Sequence, residues 1–336
     1  MSNSTHRVEV VPVTLTKHPN ADALSIVKVW GYQAIVRTSD WSDGDLGAYC
    51  PPDSVVPPGL VPGIEGRVKA KRLRGVWSEG LLVKAPIGAK VGDDVAGALG
   101  ITHYDPPMAA SGADAAPAPK GPMVPTYDLE AAAKWADAVF RDYEPVVITE
   151  KIHGANARFT FRDRELHIGS RTQWKRYEPI AGNPWGYAVA RTPDIERWCR
   201  DNPGAVLYGE VYGQVQDLRY GVTSGSRFVA FDVLGSDGRW LDHQEMRTSL
   251  TGYEIDTAPL LYVGPWHGMD AAREHAEGLS VLARGEHVRE GCVVRPLHER
   301  WDERCGRNGG RIWRARTCRY ARCSGGASGR AADCGR

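Results

Sequence analysis

The sequence predicts an α+β protein in two parts, a small β-barrel at the N-terminal end and a mixed domain of strands and helices behind it. Two observations lead to this division. Residues 7–100 contain short runs rich in β-branched residues, broken by turn signals such as "SDGDLG" and "PPDS", a pattern typical of small all-β modules. Beyond residue 126, similar runs alternate with helical ones, and that alternation favours a mixed domain.

The individual elements follow from periodicity and from turn residues. In the first part, strands are predicted in "RVEVVPVTL", "LSIVKVWGYQAIV" and "SEGLLVKAP". In the second, helices are predicted in "YDLEAAAKWADAVFRDYE", "IERWCRDN" and "MDAAREHAEGLSVLA". The strands expected between them are "PVVITEKI", "ARFTF", "ELHIGS", "AVLYGEVYG", "SRFVAFDVLG" and "EGCVVRP". The chain has no GxxxxGK stretch, which excludes a P-loop enzyme.

Composition sets the domain boundaries. Residues 106–125 are rich in Ala, Pro and Gly without apolar periodicity, so they predict a linker between domains at 1–105 and 126–307. Residues 308–336 are basic and have no core-forming pattern, which predicts a separate tail. Two explanations of the tail stay open, a disordered segment that binds phosphate backbones and a segment altered by a change of reading frame.

Bulk composition narrows the class of protein. The 336 residues, 42% hydrophobic and 25% charged, suffice for two domains with their own cores. No run approaches the roughly 18 apolar residues of a membrane span, and "MSNSTHRVEV" lacks a signal-peptide core, so a cytoplasmic protein without membrane contact is predicted. The formal charge of +1 means that any nucleic-acid surface must come from local clusters. Seven cysteines without a CxxC pair predict reduced thiols.

The stretch "EPVVITEKIHGANARFTF" places Lys151 directly behind a run of β-branched residues. A lysine amine that has lost its proton is a nucleophile toward carbonyl or phosphoryl centres. The glycine three residues later permits close approach of another group to the backbone. The residues alone favour an ordinary surface lysine at the end of a strand.

Five ordered stretches resolve this choice by resemblance. "EKIHGAN" resembles the KxDG or KxHG nucleophile motif of the covalent nucleotidyltransferases, the superfamily of ATP-dependent polynucleotide ligases and mRNA capping enzymes. Its histidine form, with Asn156 following, is similar to that of nick-sealing RNA ligases. "GSRTQWK", "YGEVYG", "FVAFDV" and "EGCVV" match later motifs in order. The resemblance covers residues 126–300 and implies a ligase-type adenylyltransferase domain.

The resemblance implies a role for each matching residue. Lys151 is the nucleophile that carries AMP, and Arg171 holds the sugar and phosphate of ATP. Glu210 accepts hydrogen bonds from the ribose hydroxyls, and Phe231 stacks on adenine. Glu290 helps to place Mg²⁺ or Mn²⁺. The residues implied to contact the nucleotide are Glu150, His153, Gly154, Asn156, Arg171, Glu210, Phe231, Glu290 and Arg311. An ordinary structural role, such as core packing for Phe231, is the alternative for each.

The implied activity is sealing of 3′-hydroxyl/5′-phosphate breaks in nicked RNA or RNA/DNA duplexes, by a monomer that uses ATP for RNA repair. Two alternatives stay open. The chain is another nucleotidyltransferase, such as a DNA ligase or a capping-like guanylyltransferase, or it is a nucleic-acid-binding protein that has lost ligase activity.

The N-terminal module sharpens the resemblance. A β-rich module in front, with "HPNADALSIVKV" and "RVKAKRLRG", resembles bacterial ATP-dependent RNA ligases that have an N-terminal OB domain. "HPNADAL" is also similar to tRNA-binding OB modules. Alternation along one strand would place Arg67, Lys69 and Lys71 on one face, a basic stripe for a phosphate backbone. A merely solvated charged strand is the alternative.

One position departs from the superfamily. Its last motif supplies lysines that bind the α-phosphate of ATP, and Arg311, in "GGRIWRART", stands near that place. A guanidinium keeps the charge but not the compact geometry of an ammonium. The sequence therefore predicts a slowed reaction with ATP.

Overall fold

The structure is a computed structural model that describes residues 6–104, 115–127, 129, 132–178 and 183–300. These residues form two compact units, one within 6–104 and the other within 115–300. Arg311 and the predicted tail lie outside the described residues, as do residues 106–114 of the predicted linker. None of the helices in the described ranges is long and apolar enough to cross a membrane.

The first unit consists of short strands with one 3₁₀ turn and one short helix. Its elements are β1 (Glu9–Pro12), β2 (Leu15–Lys17), β3 (Leu24–Val29), β4 (Tyr32–Arg37), a 3₁₀ turn (Thr38–Asp40), β5 (Leu46–Cys50), β6 (Ser54–Val61), β7 (Ile64–Arg67), β8 (Lys71–Leu73), β9 (Val76–Ser78), β10 (Leu81–Lys84), α1 (Ala96–Leu99) and β11 (Thr102–His103). They pair as antiparallel sheets in the orders β1-β5-β10, β11-β6-β7, β2-β3-β4 and β8-β9. No sheet of this unit closes into a barrel within residues 6–104, so the OB fold stays a prediction.

Alternation along these strands builds two small cores. Val10 and Ala48 face one core, while Val27 and Ala34 face the other. Successive residues of a strand point to opposite sides, so β3 and β4 bury alternate residues, whereas β1 and β5 lie between the two cores and bury successive ones. The short apolar runs of the sequence therefore appear as strands, as predicted.

The predicted single strand through Arg67, Lys69 and Lys71 is wrong. β7 ends at Arg67 and β8 begins at Lys71. Val68 turns inward between them: its N–H donates to the carbonyl of Ser54 at 2.7 Å, and its carbonyl accepts from the N–H of Asp53. Burial of this valine redirects the chain, so the three cations do not share one strand face.

The second unit contains two sheets and five helices in the described residues. Its elements are β12 (Ala115–Ala116), α2 (Ala132–Val139), β13 (Pro145–Lys151), β14 (Ala155–Arg162), β15 (Glu165–Gly169), β16 (Trp174–Lys175), α3 (Pro184–Arg191), α4 (Asp194–Asp201), β17 (Val206–Gly213), β18 (Ser226–Leu234), α5 (His243–Ser249), β19 (Leu260–Pro265), α6 (Met269–Ala276) and β20 (Gly291–Pro296). The two sheets have the orders β12-β16-β15-β14-β17-β18 and β19-β13-β20, and neighbouring strands pair antiparallel in both. The predicted mixture of strands and helices is confirmed.

The six-stranded sheet has two different faces. Phe159, Leu207 and Phe228 pack on one face against residues of α3, α4 and α5, among them Ile195 and Trp198. The opposite face holds Asn156 and Glu210, because they alternate with those core residues along β14 and β17. The three-stranded sheet packs on α2 and α6. We call the face that carries Asn156 and Glu210 the open face.

Two predicted boundaries differ in the second unit. Residues 115–125 were predicted as linker, but Ala115–Ala116 pair with β16 and Val124 is buried in a core. The helix predicted through residue 283 ends at Ala276, because Gly278 adopts a φ of 106°, which breaks helical geometry. The described cysteines, Cys50, Cys199 and Cys292, are buried thiols.

Candidate active site

Lys151 lies where the chain passes from the three-stranded sheet to the six-stranded sheet. It is the last residue of β13, and only Ile152, His153 and Gly154 separate it from β14. Val146–Ile148 are almost fully buried between the neighbours of β13, so the strand carries Lys151 on a firmly packed backbone. The Lys151 side chain is 15% exposed.

Gly154 is required by the close approach of this connection to β17. A Cβ at this position would lie 2.2 Å from the carbonyl oxygen of Val211 and 3.0 Å from Cγ of Glu210. The backbone of Gly154 acts to lower the pKa of Glu210. We call residues 151–154 the lysine turn. The glycine of the KxHG pattern lets this turn pack directly against the strand that carries Glu210.

Glu290 precedes β20 and contacts both side chains of the lysine turn. Its Oε2 lies 2.5 Å from Nζ of Lys151, and its Oε1 lies 3.6 Å from Nδ1 of His153. Lys151 pairs with Gly291 in the ladder of β13 and β20, so the sheet register fixes this contact. Burial alone would raise the pKa of Glu290, but the charges and hydrogen bonds of Lys151 and His153 lower it to about 2. Glu290 is thus ionised at neutral pH.

Glu210 and Asn156 are direct neighbours on the open face. They are register partners in β17 and β14. The pKa of Glu210 is raised to about 8: burial is the largest cause and the charge of Glu290 adds to it, while the charge of Lys151 and the backbone of Gly154 act in the opposite direction. Oδ1 of Asn156 is buried and has no hydrogen-bond partner among the described residues. The two side chains offer oxygen acceptors beside the Lys151 amine.

Phe231 reaches the open face because of a β-bulge. The register of β17 with β18 shifts at this point and leaves Phe231 without a partner. Ala230 before the bulge and Val233 after it both pack on the helix side, so the bulge turns Phe231 away from that core. Its ring lies 4.6 Å from the ring of Tyr127. The aromatic residue implied to stack on adenine is therefore half-buried and on the same face as Glu210.

A buried polar cluster fixes the backbone beside Phe231. The Tyr127 hydroxyl donates to Oδ2 of Asp232 at 2.7 Å, and Nη1 of Arg295 lies 3.6 Å from Oδ1 of the same carboxylate. Nη1 of Arg295 also donates to the carbonyl of Phe231. Burial lowers the pKa of Arg295 from its ordinary value. Sequence reasoning assigned no role to Arg295, which lies five residues after Glu290 in β20.

Glu150 anchors a loop in the structure. Its carboxylate is buried and accepts from the Ser280 hydroxyl at 2.5 Å and from the backbone N–H groups of Val281 and Leu282. These bonds hold the segment after α6 against β13. Contact of Glu150 with adenine stays a prediction, and the carboxylate has a structural role that the sequence did not predict.

Tyr220 is a residue of this region that sequence reasoning missed. Its hydroxyl accepts the backbone N–H of His153 at 2.7 Å, and its ring lies 4.7 Å from that of His287. Tyr220 has a φ of 52°, uncommon for a bulky residue. Burial, with the charges of nearby carboxylates, raises the pKa of Tyr220 well above its ordinary value. Its position next to Gly221 in "LRYG" was the only local signal, and it indicates merely a turn.

The remaining predicted residues are placed separately. Arg171 lies exposed in the turn between β15 and β16. Arg67, Lys69 and Lys71 belong to the first unit and are exposed. Arg311 lies outside the described residues. The structure thus brings Lys151, His153, Glu210 and Glu290 together, and the roles of Arg171, Arg311 and the three basic residues stay predictions.

Oxygen ligands for a divalent cation are present, although in the ranges that the structure describes no three His, Cys, Asp or Glu side chains are arranged so that they could hold a metal ion by themselves. Magnesium is usually held by one or two carboxylates together with substrate phosphates. The ionised Glu290, Glu210 and the unpaired Oδ1 of Asn156 fit that requirement.

Comparison with known proteins gives consistent results. The sequence model of the RNA ligase family matches residues 144–312, a range that includes Lys151, Glu210, Glu290 and Arg311. A comparison with curated proteins gives no match.

Several solved structures of Naegleria gruberi RNA ligase have a similar fold. A mutant of that enzyme with ATP and Mn is 22% identical, with a TM-score of 0.74 over 92% of this chain and 96% of that chain. The same enzyme with PPi is 21% identical, with a TM-score of 0.73 over the same shares. Another mutant, with AMP and Mn, is 22% identical, with a TM-score of 0.71 over 86% of this chain and 93% of that one. The similarity of fold extends over both units of the chain.

Proposed function

Because the chain belongs to the RNA ligase family, we propose that it is an ATP-dependent ligase that seals 3′-hydroxyl/5′-phosphate breaks in RNA through AMP bound to Lys151. The observation that carries this proposal is the contact of Nζ of Lys151 with the ionised Glu290, at the connection between the two sheets. The related Naegleria enzyme has been solved with ATP, AMP, PPi and Mn, which are the ligands such a reaction uses.

The first step is attack of the Lys151 amine on the α-phosphorus of ATP. The ammonium must lose its proton beforehand, since only the free amine has the lone pair that forms the N–P bond. As that bond forms, the bond to the β-phosphate oxygen breaks and pyrophosphate leaves. His153, held through its backbone N–H by Tyr220, faces the same carboxylate as Lys151, and so the turn presents both side chains together.

The next two steps transfer AMP and close the strand. An oxygen of the 5′-phosphate attacks the phosphorus of lysyl-AMP, and the Lys151 amine leaves. The 3′-hydroxyl then loses its proton and attacks the 5′-phosphorus, and AMP leaves. Each step is a phosphoryl displacement in which positioning and electrostatic stabilisation supply most of the rate.

The other side chains bind and orient the nucleotide. Glu210 accepts from the ribose hydroxyls once it is ionised, and Phe231 stacks on adenine from the same face. A divalent cation held by Glu290, with Asn156 as a further oxygen donor, would supply charge stabilisation for the phosphates. Arg171 holds the sugar and α-phosphate in this proposal, and its fork of donors suits that contact.

The first unit is proposed to be an OB-type module that binds the nicked RNA or RNA/DNA duplex, as in bacterial ligases with the same domain order. The chain is proposed to act as a monomer in RNA repair. The fold similarity to Naegleria RNA ligase, which extends over 92% of this chain, supports this domain order.

A sealing assay on matched nicks tests the proposal. We expect the full chain with ATP and Mg²⁺ or Mn²⁺ to seal a nick with RNA at its 3′-hydroxyl side and to leave an all-DNA nick largely open, because RNA strands impose A-form geometry there. Equal rates on both would favour a DNA ligase. A third substrate that already carries AMP on its 5′-phosphate bypasses the first step; failure to seal it would favour a binding protein without ligase activity.

A further inference from the structure

The basic hairpin of β8 and β9 in the first unit has no part in the chemistry above. We propose that this hairpin, with Arg72 on β8 and Arg74 in its turn, is a preformed contact for the phosphate backbone of the nicked duplex. The inference rests on the proposed function, because the duplex is the substrate of sealing. The hairpin takes the place of the basic stripe that was predicted along one β-strand. It adds Arg72 and Arg74, to which the sequence analysis assigned no role.

The hairpin carries unpaired positive charge. The segment "KAKRLRGVW", residues 69–77, contains four cations and no acidic residue. Lys69, Lys71, Arg72 and Arg74 are exposed, and none of them has an ion pair within the described residues. Arg67 differs, because its guanidinium is 2.7 Å from Asp53 and lies over the ring of Tyr104 at 4.0 Å. The charge of Arg67 is therefore partly neutralised, whereas the charges of the hairpin are not.

The turn of the hairpin holds an arginine in an unusual conformation. Arg74 and Gly75, which join β8 to β9, have φ values of 49° and 88°. A two-residue turn with both φ values positive is the type I′ hairpin turn, whose first position favours Asn, Asp or Gly. An arginine there costs about 1 kcal/mol relative to those residues. Turn formation does not explain Arg74, whereas a need for charge at the tip does.

The "HPNADAL" segment fixes the tip. Nδ1 of His18 accepts the backbone N–H of Asn20 at 3.0 Å, so the ring proton is on Nε2, which donates to the carbonyl of Leu73 at 3.2 Å. The Asn20 side chain donates to the carbonyl of Arg74 at 2.9 Å. His18 is fully buried, so this support is part of the core of the unit. Hydrogen bonds thus fix two successive carbonyls of the turn. A segment that is already ordered loses less conformational entropy when it binds a ligand.

The second strand of the hairpin is also fastened to the unit. The side chain of Gln33 donates to the carbonyl of Trp77 at 2.8 Å, and the Ser78 hydroxyl accepts the N–H of Ile35. The guanidinium of Arg72 lies over the Trp77 ring at 5.3 Å. One face of the indole is therefore occupied by a cation, and this favours contacts to phosphates, which are independent of sequence.

The salt dependence of binding tests the proposal. The full chain is titrated, without ATP, onto a fluorescently labelled RNA duplex with one nick over a series of NaCl concentrations. The test variant combines Arg72→Gln with Arg74→Asn, and asparagine suits a type I′ turn, so the hairpin is retained. Each lost phosphate contact lowers the slope of log K against log salt by about 1, so a reduction of about 2 is expected. The control, Lys28→Gln with Lys90→Gln, removes the same charge from exposed positions elsewhere in the unit.

The proposal is overturned if the test variant keeps the wild-type slope, if the control loses as much, or if the wild-type chain does not bind the duplex. AMP transfer to Lys151 is measured on the same proteins without RNA, and it should be equal in all three. A chain that transfers no AMP but shows the expected loss of slope would contradict the proposed function and leave the hairpin contact standing. The two failures are thus distinguishable.

Discussion

Glu210 makes the stability of the second unit depend on pH. In the nucleotide-free protein, burial raises its pKa from 4.5 to about 8. Between these values the folded state holds a proton that the unfolded chain has released, so the free energy of unfolding falls as the pH rises. The full difference corresponds to about 5 kcal/mol above pH 8, at about 1.36 kcal/mol for each unit of pKa. About 3 kcal/mol of this loss in the free energy of unfolding occurs between about pH 5 and about pH 8.

The substitution Glu210→Gln removes this titration and keeps the size of the side chain. We expect the variant to resemble the wild type near pH 5 and to be more stable by about 3 kcal/mol near pH 8. The assay is denaturant unfolding of both proteins across this range, compared as a difference. Burial and nearby arginines lower the pKa of His243 from 6.5 to about 3. The free energy of unfolding of both proteins therefore increases through His243 as the pH rises toward 6.5. The contribution of His243 cancels when the two proteins are compared. The lowered pKa of Glu290 changes the free energy of unfolding only below about pH 4.5, which lies outside the range measured.

The control is Glu254→Gln, an exposed glutamate of the same unit. It should leave the pH dependence of unfolding unchanged. If the difference between the wild type and Glu210→Gln stays constant from about pH 5 to about pH 8, Glu210 is not held neutral by burial and the reasoning is refuted.

Three further predictions concern the lysine turn and the tail. Gly154→Ala should slow AMP transfer at least about tenfold, because a Cβ would meet the Val211 carbonyl; Gly97→Ala, which meets nothing within 4 Å, is the control in kinetics and thermal unfolding. Tyr220→Phe leaves the His153 N–H without an acceptor, a cost of about 1–3 kcal/mol that should reduce kcat for AMP transfer more than ATP binding; an unchanged kcat would exclude this role. Replacing residues 308–336 by a lysine-bearing segment of related ligases should accelerate AMP transfer sharply, whereas sealing of a pre-adenylylated nick should change less; equal rates before and after would show that Arg311 is harmless.

The strands and the order of the site residues could be predicted because they depend on local signals. Alternation in "ARFTF" and the apolar run in "AVLYGEVYG" correspond to β14 and β17, which contribute alternate residues to the core on the helix side. The contact of Lys151 with Glu290 could not come from spacing, since it depends on the pairing of β13 with β20 across most of the domain. Only the resemblance to a family suggested that the two residues belong to one site.

Other elements were missed for identifiable reasons. α5 begins with a capping box, in which Asp242 and Glu245 each bind the other's backbone N–H, and α3 begins with Asn183 as its cap before Pro184. Both signals are present in the sequence, but the helices are short and weakly periodic. Tyr220 and Ser280 act through single hydrogen bonds between distant segments, so no local pattern marks them.

The central claim is that Lys151 is the covalent site. The most direct measurement is intact and peptide mass spectrometry of the full chain after extended incubation with ATP and Mg²⁺ or Mn²⁺, beside Lys151→Ala and the control Lys134→Ala. We predict one AMP per chain, located on Lys151, present in the wild type and in Lys134→Ala and absent in Lys151→Ala. An adduct that persists in Lys151→Ala, or that maps to another residue of the wild-type chain, would contradict the account.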